Sequence, residues 1–126
     1  MVQWTDRHGR QIEIEVVGDG AQGFHEGVRV GWVDTTGQVE IDDWHWSTPE
    51  ITGMFVNEQY QRAGMGLRLI EELYRHYGEQ LVPAAKNIGM GGLNALTDDG
   101  LALTRRAQAA GFVAPFPDEV EDRDDD

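Results

Sequence analysis

The spacing of apolar residues changes near residue 63, and this change constrains the fold more than any other feature of the sequence. Residues 11–17 alternate polar and apolar side chains, which is typical of a half-buried strand. Residues 63–77 instead repeat apolar side chains at helical spacing until Gly78 stops the pattern. Because strands come first and helices later, the sequence predicts an α+β protein.

Three more β-rich stretches follow the first one. Residues 28–33 and 38–46 flank a turn-rich tetrad at 34–37, so with residues 11–17 they predict an antiparallel meander. In the third of these strands, Val39 and Ile41 are expected to face inward, together with Trp44 or one of its neighbours. Residues 50–56 are apolar at nearly every position. A strand of that kind is expected to be covered on both faces, at the centre of the sheet.

The second half of the chain predicts a shorter strand and another helix. Residues 81–85 are a candidate fifth strand with Pro83 at an edge or bulge, and the glycine-rich residues 87–94 are a loop. Residues 97–99 offer helix caps before a second helix that Gly111 closes, and residues 112–113 could begin a last strand. The expected architecture is a sheet of five or six strands with two main helices.

Composition limits the class of protein. With 126 residues the chain is expected to form one domain, and 40% apolar with 26% charged residues is the composition of a globular protein. No apolar run is long enough for a transmembrane helix, and residues 1–6 lack the features of a signal peptide, so we expect a cytoplasmic protein without membrane contact. The absence of cysteine excludes disulfides and thiolate chemistry. A net charge of −13 argues against nucleic acid as a partner.

The charge is concentrated at one end. Residues 118–126 hold seven acids and one Arg, a net charge of −6. Such a segment repels itself and has little apolar surface, so residues 1–117 are expected to form the domain and residues 118–126 a disordered acidic tail. A solubilising role for the tail is favoured over a docking role.

The junction between strand and helix carries the clearest sign of chemistry. Gly64 and Gly66 lie where residues 50–56 give way to the helix. The first turn of a helix has unpaired N–H groups and the positive end of the dipole, and missing side chains let an anion approach the main chain. Arg62 can add a charge-assisted hydrogen bond and Gln61 an amide hydrogen bond. We therefore predict an anion site there.

The motif Gln61-Arg62-Ala63-Gly64-Met65-Gly66 resembles the Gln/Arg-x-x-Gly-x-Gly/Ala signature of the GCN5-related N-acetyltransferase (GNAT) superfamily. The resemblance takes in roughly residues 28–113. It implies a central mixed, mostly antiparallel twisted sheet, acetyl-CoA as acetyl donor, no metal, and transfer of acetyl to a primary amine of a small molecule or peptide. It also implies that the strand before the motif pairs with the pantetheine arm. The implied cofactor-binding residues are Phe55, Val56, Gln61, Arg62, Ala63, Gly64, Met65, Gly66 and Leu67.

The sequence departs from the family in three places. Only 27 residues precede the second strand, so the family's N-terminal helices are reduced or missing, and residues 21–27 would hold one helical turn at most. The acceptor pocket is then open or completed by a second subunit, which makes a homodimer an option. Ala107 stands where many members have the Tyr that protonates the leaving thiolate. Gly100 stands where the family often has an Asn, for which Asn87, Asn94 or Asp98 could substitute. These departures leave open a second hypothesis, a degenerate GNAT-fold protein that binds CoA or a protein partner without turnover.

An acetyl transfer to an amine needs a base. Glu50 and His45 are the predicted catalytic residues, with proton loss through ordered water to Glu50 favoured, and Glu40 and Asp42 are alternatives. Acids on an exposed strand face are, however, more often solvated surface residues. Trp32, Trp44 and Trp46 alternate with acidic residues and could form an aromatic cleft for a cationic amine, although Trp in a sheet is more often part of the core.

Overall fold

The computed structural model describes residues 2–38, 40–45, 47–84 and 98–116. The fold is α+β, with five antiparallel strands in the spatial order β1-β2-β3-β4-β5 and two main helices. The strands are β1 (Val2–Thr5), β2 (Gln11–Val17), β3 (Gly20–His25), β4 (Val28–Thr35) and β5 (Ile51–Val56), and the helices are α1 (Met65–Tyr77) and α2 (Asp98–Ala109). The predicted strands at 11–17, 28–33 and 50–56 and both predicted helices are confirmed.

Helix α1 packs on one face of the sheet. Ile12 and Ile14 of β2 are fully buried, whereas Glu13 between them is partly exposed, as the alternation in the sequence predicts. From the helix, Leu69 and Leu73 are also fully buried. Each such side chain stabilises the fold by about 1.5–3 kcal/mol, so this layer is the core of the molecule.

Two glycines in the sheet let α1 lie close to it. Gly23 of β3 pairs with Gly31 of β4, and Met65 of α1 lies over both. A Cβ on Gly23 would lie 3.2 Å from Met65 Sδ, and one on Gly31 only 2.8 Å away.

Strand β3 occupies residues 20–25, where the sequence analysis allowed at most one helical turn. No helix precedes residue 58 in the part of the chain that the structure describes.

Both helices end at glycines in left-handed conformations. Gly78 has φ 75° and donates its N–H to the Tyr74 carbonyl, which confirms the predicted end of α1. Helix α2 ends at Ala109, just before Gly111 with φ 88°. The ring of Phe112, the next residue, lies 5.3 Å from the Tyr74 ring, so the end of α2 is anchored on α1.

The prediction of a strand at residues 38–46 is wrong over the described positions. Glu40 forms a single bridge and residues 42–44 form a bend. The Asp42 carboxylate accepts the Trp44 N–H at 2.8 Å, an Asx turn that competes with strand pairing. Ile41 is 66% exposed and Trp44 87% exposed, so neither faces inward. Val39 and Trp46 lie outside the described residues.

The prediction that residues 50–56 form the sheet centre is also wrong, because β5 is the last strand in the order. Phe55 is 45% exposed, so β5 is not covered on both faces. Beyond β5 the structure has two isolated parallel bridges, Glu50 with Val82 and Leu81 with Val113. These bridges stand where the sequence predicted strands at 81–85 and 112–113.

Several predictions lie outside the described residues: Ala85, the loop at 87–94, the cap Thr97 and the tail at 118–126. Within the described ranges, neither helix has the length and apolar character needed to cross a bilayer.

Candidate functional site

The loop from β5 to α1 runs beneath the ends of the central strands. Asn57 donates its N–H to the Val30 carbonyl at 2.7 Å. The Tyr60 hydroxyl hydrogen-bonds His25 Nδ1 at 2.6 Å, and the Arg10 guanidinium lies 4.1 Å from the centre of the Tyr60 ring. Contacts to β3, to β4 and to Arg10 just before β2 thus hold the loop that leads into the predicted anion site.

The start of α1 has an unusual backbone. Arg62 has φ 62° and Gly64, the N-cap residue, has φ 94°. Gly64 provides no side-chain cap and the first turn contains no acidic residue, whereas the Gly64 carbonyl accepts the Arg68 N–H at 3.0 Å. The positive end of the α1 dipole is therefore not compensated by a carboxylate of its own first turn, which suits an anion.

The two glycines of the motif have different surroundings. A Cβ on Gly64 would lie 3.5 Å from Trp4 Cζ2 and 3.7 Å from Arg7 Nε, which is ordinary contact. A Cβ on Gly66 would lie 2.6 Å from Leu103 Cδ2. The space beside Gly66 that was predicted for an anion is therefore occupied by Leu103 of α2. Of the two glycines, only Gly64 leaves its backbone accessible to an anion.

The remaining residues of the motif are mostly engaged within the protein. Ala63 is fully buried and its carbonyl accepts the Arg7 N–H at 3.2 Å. The Met65 side chain is buried in the core, so only its backbone can serve a ligand. Gln61 donates through Nε2 to the Val56 carbonyl at 3.0 Å, which ties the loop to β5.

Within residues 61–67, two side chains remain available to a ligand. Arg62 is exposed and has no ion-pair partner among the described residues. Leu67 is partly exposed and lines a cleft beside the helix.

Among the described residues, the outer edge of β5 has no pairing partner past its first residues. Ile51 donates its N–H to the Val82 carbonyl at 2.9 Å, but β5 makes no other bridge on this side within the described ranges. Because Asn57 donates to β4 and strand residues alternate, Phe55 also directs its backbone groups to β4. The groups that face the open edge are those of Met54 and the N–H of Val56, because the Val56 carbonyl already accepts Gln61 Nε2.

The predicted catalytic residues lie on separate segments. Glu50 is partly exposed immediately before β5, where its N–H donates to Thr36 Oγ1 at 3.0 Å. The His45 side chain is 72% exposed, and its Nδ1 lies 2.8 Å from Asp42 Oδ1. Hydrogen bonds from the Trp44 N–H and then from His45 lower the pKa of Asp42 below its usual value, so this carboxylate is held ionised.

The other residues predicted to form an acceptor site do not lie together in the described structure. Ala107, at the family's Tyr position, is fully buried. Trp32 stacks on Phe55 with ring centres 4.5 Å apart, and the Arg29 guanidinium lies 4.1 Å from the Trp32 ring. Trp44 lies in its exposed bend without a ring contact to Trp32. An aromatic cleft around these residues is therefore not formed by the described part of the chain.

A cleft between β1 and α1 was missed by sequence reasoning. It has a volume of about 290 Å³ and opens beside Gly64. Its lining residues are Trp4, Thr5, Asp6, Arg7, Ala63, Gly64, Leu67, Arg68 and Glu71. Only the pairing of β1 with β2 brings Trp4 and Arg7 to the helix, and the short strand β1 gives no signal strong enough to predict it.

Neither the sequence nor the fold matched known proteins in three comparisons, with protein-family models, with curated proteins and with solved structures.

Proposed function

We propose that this chain is an acetyl-CoA-dependent N-acetyltransferase that acts on a primary amine of a small molecule or peptide. The pyrophosphate lies at the start of α1, near Gly64 and Arg62, and the pantetheine arm lies along the outer edge of β5. The resemblance of residues 61–66 to the GNAT signature supplies the cofactor class.

The observation that carries the proposal is the open edge of β5. Among the described residues, the parallel pairing with Val82 ends at Glu50, so the Met54 backbone groups and the Val56 N–H face outward without a partner, while the Val56 carbonyl is bonded to Gln61. Residues 57–64 connect this edge to a helix start that lacks an acidic first turn. An arm with amide groups can pair with such an edge as an added strand does, while its phosphates reach the helix.

The chemistry follows from these groups. The amine nitrogen attacks the thioester carbon, and the Met54 N–H is placed to donate to the oxyanion that develops. The carbon–sulfur bond then breaks and the thiolate leaves, taking its proton from water because Ala107 offers none. The amine loses its proton through water to Glu50, the residue immediately before β5.

A second function, CoA binding without turnover, is favoured by a different observation. Ala107 is fully buried and has no proton to donate, and His45 is largely exposed in a loop, so neither position supplies an acid or base to an enclosed site. A protein that only binds CoA needs the β5 edge and the helix start but not these groups.

Calorimetry with acetyl-CoA tests the binding shared by both functions. Thiol release is then measured with a polyamine, an aminoglycoside and a lysine-containing peptide as acceptors. Binding with thiol release supports the transferase, and binding without release on any amine supports the second function. No binding of either acetyl-CoA or CoA contradicts both.

A further inference from the structure

The left-handed backbone of Arg62 needs a physical explanation. Arg62 has φ 62°, a conformation that costs energy for a residue with a side chain. Among the described residues, Glu26 is the only other non-glycine residue with a positive φ. Glu26 and Gly27 form the two-residue turn between β3 and β4, where a tight hairpin favours positive φ at both positions. Arg62 lies in no such hairpin, so the contacts of its neighbours hold it in place.

The turn between β1 and β2 contacts the chain just before Arg62. Arg10 Nη1 donates to the Gln59 carbonyl at 2.9 Å, and the guanidinium lies 4.1 Å from the centre of the Tyr60 ring. The Tyr60 hydroxyl is in turn bonded to His25 Nδ1 at 2.6 Å. Two residues on the N-terminal side of Arg62 are therefore held through Arg10 and β3.

The same turn contacts the chain just after Arg62. The Arg7 N–H donates to the Ala63 carbonyl at 3.2 Å. The turn itself is secured by the buried Asp6 carboxylate, which accepts Arg10 Nε at 2.7 Å and the Arg10 N–H at 2.9 Å. One turn thus holds the loop on both sides of its left-handed residue.

Stability alone does not account for the placement of Arg10. Its Nη2 is buried without a hydrogen-bond acceptor among the described residues. A buried donor without an acceptor costs stability, and such donors are rare in folded proteins. An arginine kept in this position despite that cost favours a role in shaping the loop.

We propose that Arg10 is a positioning residue of the proposed cofactor site. It fixes the chain before Arg62, as the Arg7 N–H fixes the chain after it, so that Arg62 is left-handed before a ligand binds. The exposed Arg62 side chain and the accessible backbone of Gly64 are then preorganised for a pyrophosphate, and binding loses less free energy to ordering the loop. The identity of the ligand rests on the proposed function, whereas the restraint on the loop does not.

Arg10→Lys tests this role at constant charge. Lysine lacks the planar fork that reaches the turn, the Gln59 carbonyl and the Tyr60 ring together. The matched control is Arg29→Lys, because the Arg29 guanidinium also lies 4.1 Å from the centre of an aromatic ring, that of Trp32, but within the sheet.

The order of the loop is measured directly by ¹⁵N relaxation of the Arg62 and Gly64 amides. We expect order parameters of about 0.85 in the wild type and in Arg29→Lys, and below about 0.6 in Arg10→Lys. Thermal unfolding shows whether each variant is folded. Tyr60→Phe is a milder second variant, since it keeps the ring beside Arg10 and removes only the hydrogen bond to His25. It should increase the mobility of the same amides to a smaller extent.

Calorimetry measures the effect on binding, with acetyl-CoA, inorganic pyrophosphate and pantetheine as probes. Arg10→Lys should weaken the first two by about tenfold and leave pantetheine, which has no pyrophosphate, unchanged. Arg29→Lys should change none of the three. A residue that merely stabilised the fold would not separate the probes in this way.

Each outcome distinguishes the positioning role from the proposed function. Rigid loop amides in both Arg10→Lys and Tyr60→Phe, or a mobile loop with unchanged affinity for acetyl-CoA, overturn the positioning role and leave the proposed function standing. Arg10-dependent binding of pyrophosphate without any binding of acetyl-CoA supports the positioning role and contradicts the proposed function. Binding of neither acetyl-CoA nor pyrophosphate to the wild type contradicts both.

Discussion

Leu103 of α2 occupies the space that Gly66 of α1 leaves open: a Cβ on Gly66 would lie 2.6 Å from Leu103 Cδ2. Gly66 therefore serves the contact between the two helices. We expect Gly66→Ala to lower the free energy of unfolding by about 1–3 kcal/mol through overpacking, as measured by urea denaturation. A double-mutant cycle with Leu103→Ala should show strong coupling, and purely additive effects would contradict this contact.

Gly64 plays a different part because its backbone is left-handed. Gly64→Ala should lower the free energy of unfolding by about 1–2 kcal/mol, the cost of φ near 94° for a residue with a side chain. Gly18→Ala is the matched control, since a Cβ there meets nothing within 4 Å and the glycine has no left-handed φ. Equal effects of the two substitutions in thermal unfolding would show that the αL backbone at the α1 start is not required.

The Tyr77 hydroxyl connects α1 to two parts of the sheet. It bonds Thr35 Oγ1 at 2.7 Å and the Gly18 carbonyl at 3.1 Å. We expect Tyr77→Phe to lower the free energy of unfolding by about 1–2 kcal/mol, because Thr35 is buried and loses a partner. Tyr74→Phe is the control, since the Tyr74 ring packs on Phe112 and its hydroxyl has no hydrogen bond in the described structure. A comparable loss of stability in both variants would show that the hydrogen bonds of the Tyr77 hydroxyl do not contribute to stability.

The Asp6 carboxylate is expected to make the free energy of unfolding fall in acid. Burial raises the pKa of Asp6, but hydrogen bonds from the Arg10 backbone and guanidinium and from His8 outweigh it, so the pKa falls below the usual 3.8. The folded state therefore gains stability above the unfolded pKa and loses it as pH falls through the lower, folded pKa.

The matching substitution is Asp6→Asn. It should destabilise the protein by about 1–3 kcal/mol at neutral pH, with a smaller difference from wild type at a pH below the folded pKa. Unfolding measured across this pH range checks the sign, and a difference that does not shrink in acid would contradict it.

Glu50 is the proposed route for the proton of the amine. If the chain is a transferase, Glu50→Gln should lower kcat by about 10²-fold or more with unchanged affinity for acetyl-CoA, the usual scale of general base catalysis. Glu26→Gln, an exposed acid in the turn between β3 and β4, is the control and should retain activity. An active Glu50→Gln enzyme would remove Glu50 from the mechanism without affecting the binding site.

The sequence predicted elements whose pattern reflects burial on one face. Polar and apolar side chains alternate in residues 11–17, and apolar side chains recur at helical spacing in residues 63–77, because α1 packs on the sheet. The local pattern was therefore sufficient to predict both elements. Strand β3 was missed because its glycines weaken strand propensity, and their role depends on Met65, far along the chain. The bend at Asp42 was missed because a side-chain hydrogen bond overrides an alternating pattern.

The candidate site was predictable only as far as the motif itself. Residues 61–66 indicated a helix start with an exposed backbone, and Gly64 has that geometry. Which side chains surround it could not be read locally, because Trp4 and Arg7 reach Gly64 through strand pairing and Leu103 reaches Gly66 through the packing of two helices.

The bare backbone at Gly23 and Gly31 has a consequence beyond core packing. A side chain at either position would meet the Met65 thioether, and at Gly31 also the Phe55 carbonyl, so the Met65 side chain would have to shift. The packing of the helix start beside the rim of β5 thus depends on two positions without side chains on neighbouring strands. A ligand that must touch both would sense a methyl group added where no ligand atom ever comes near.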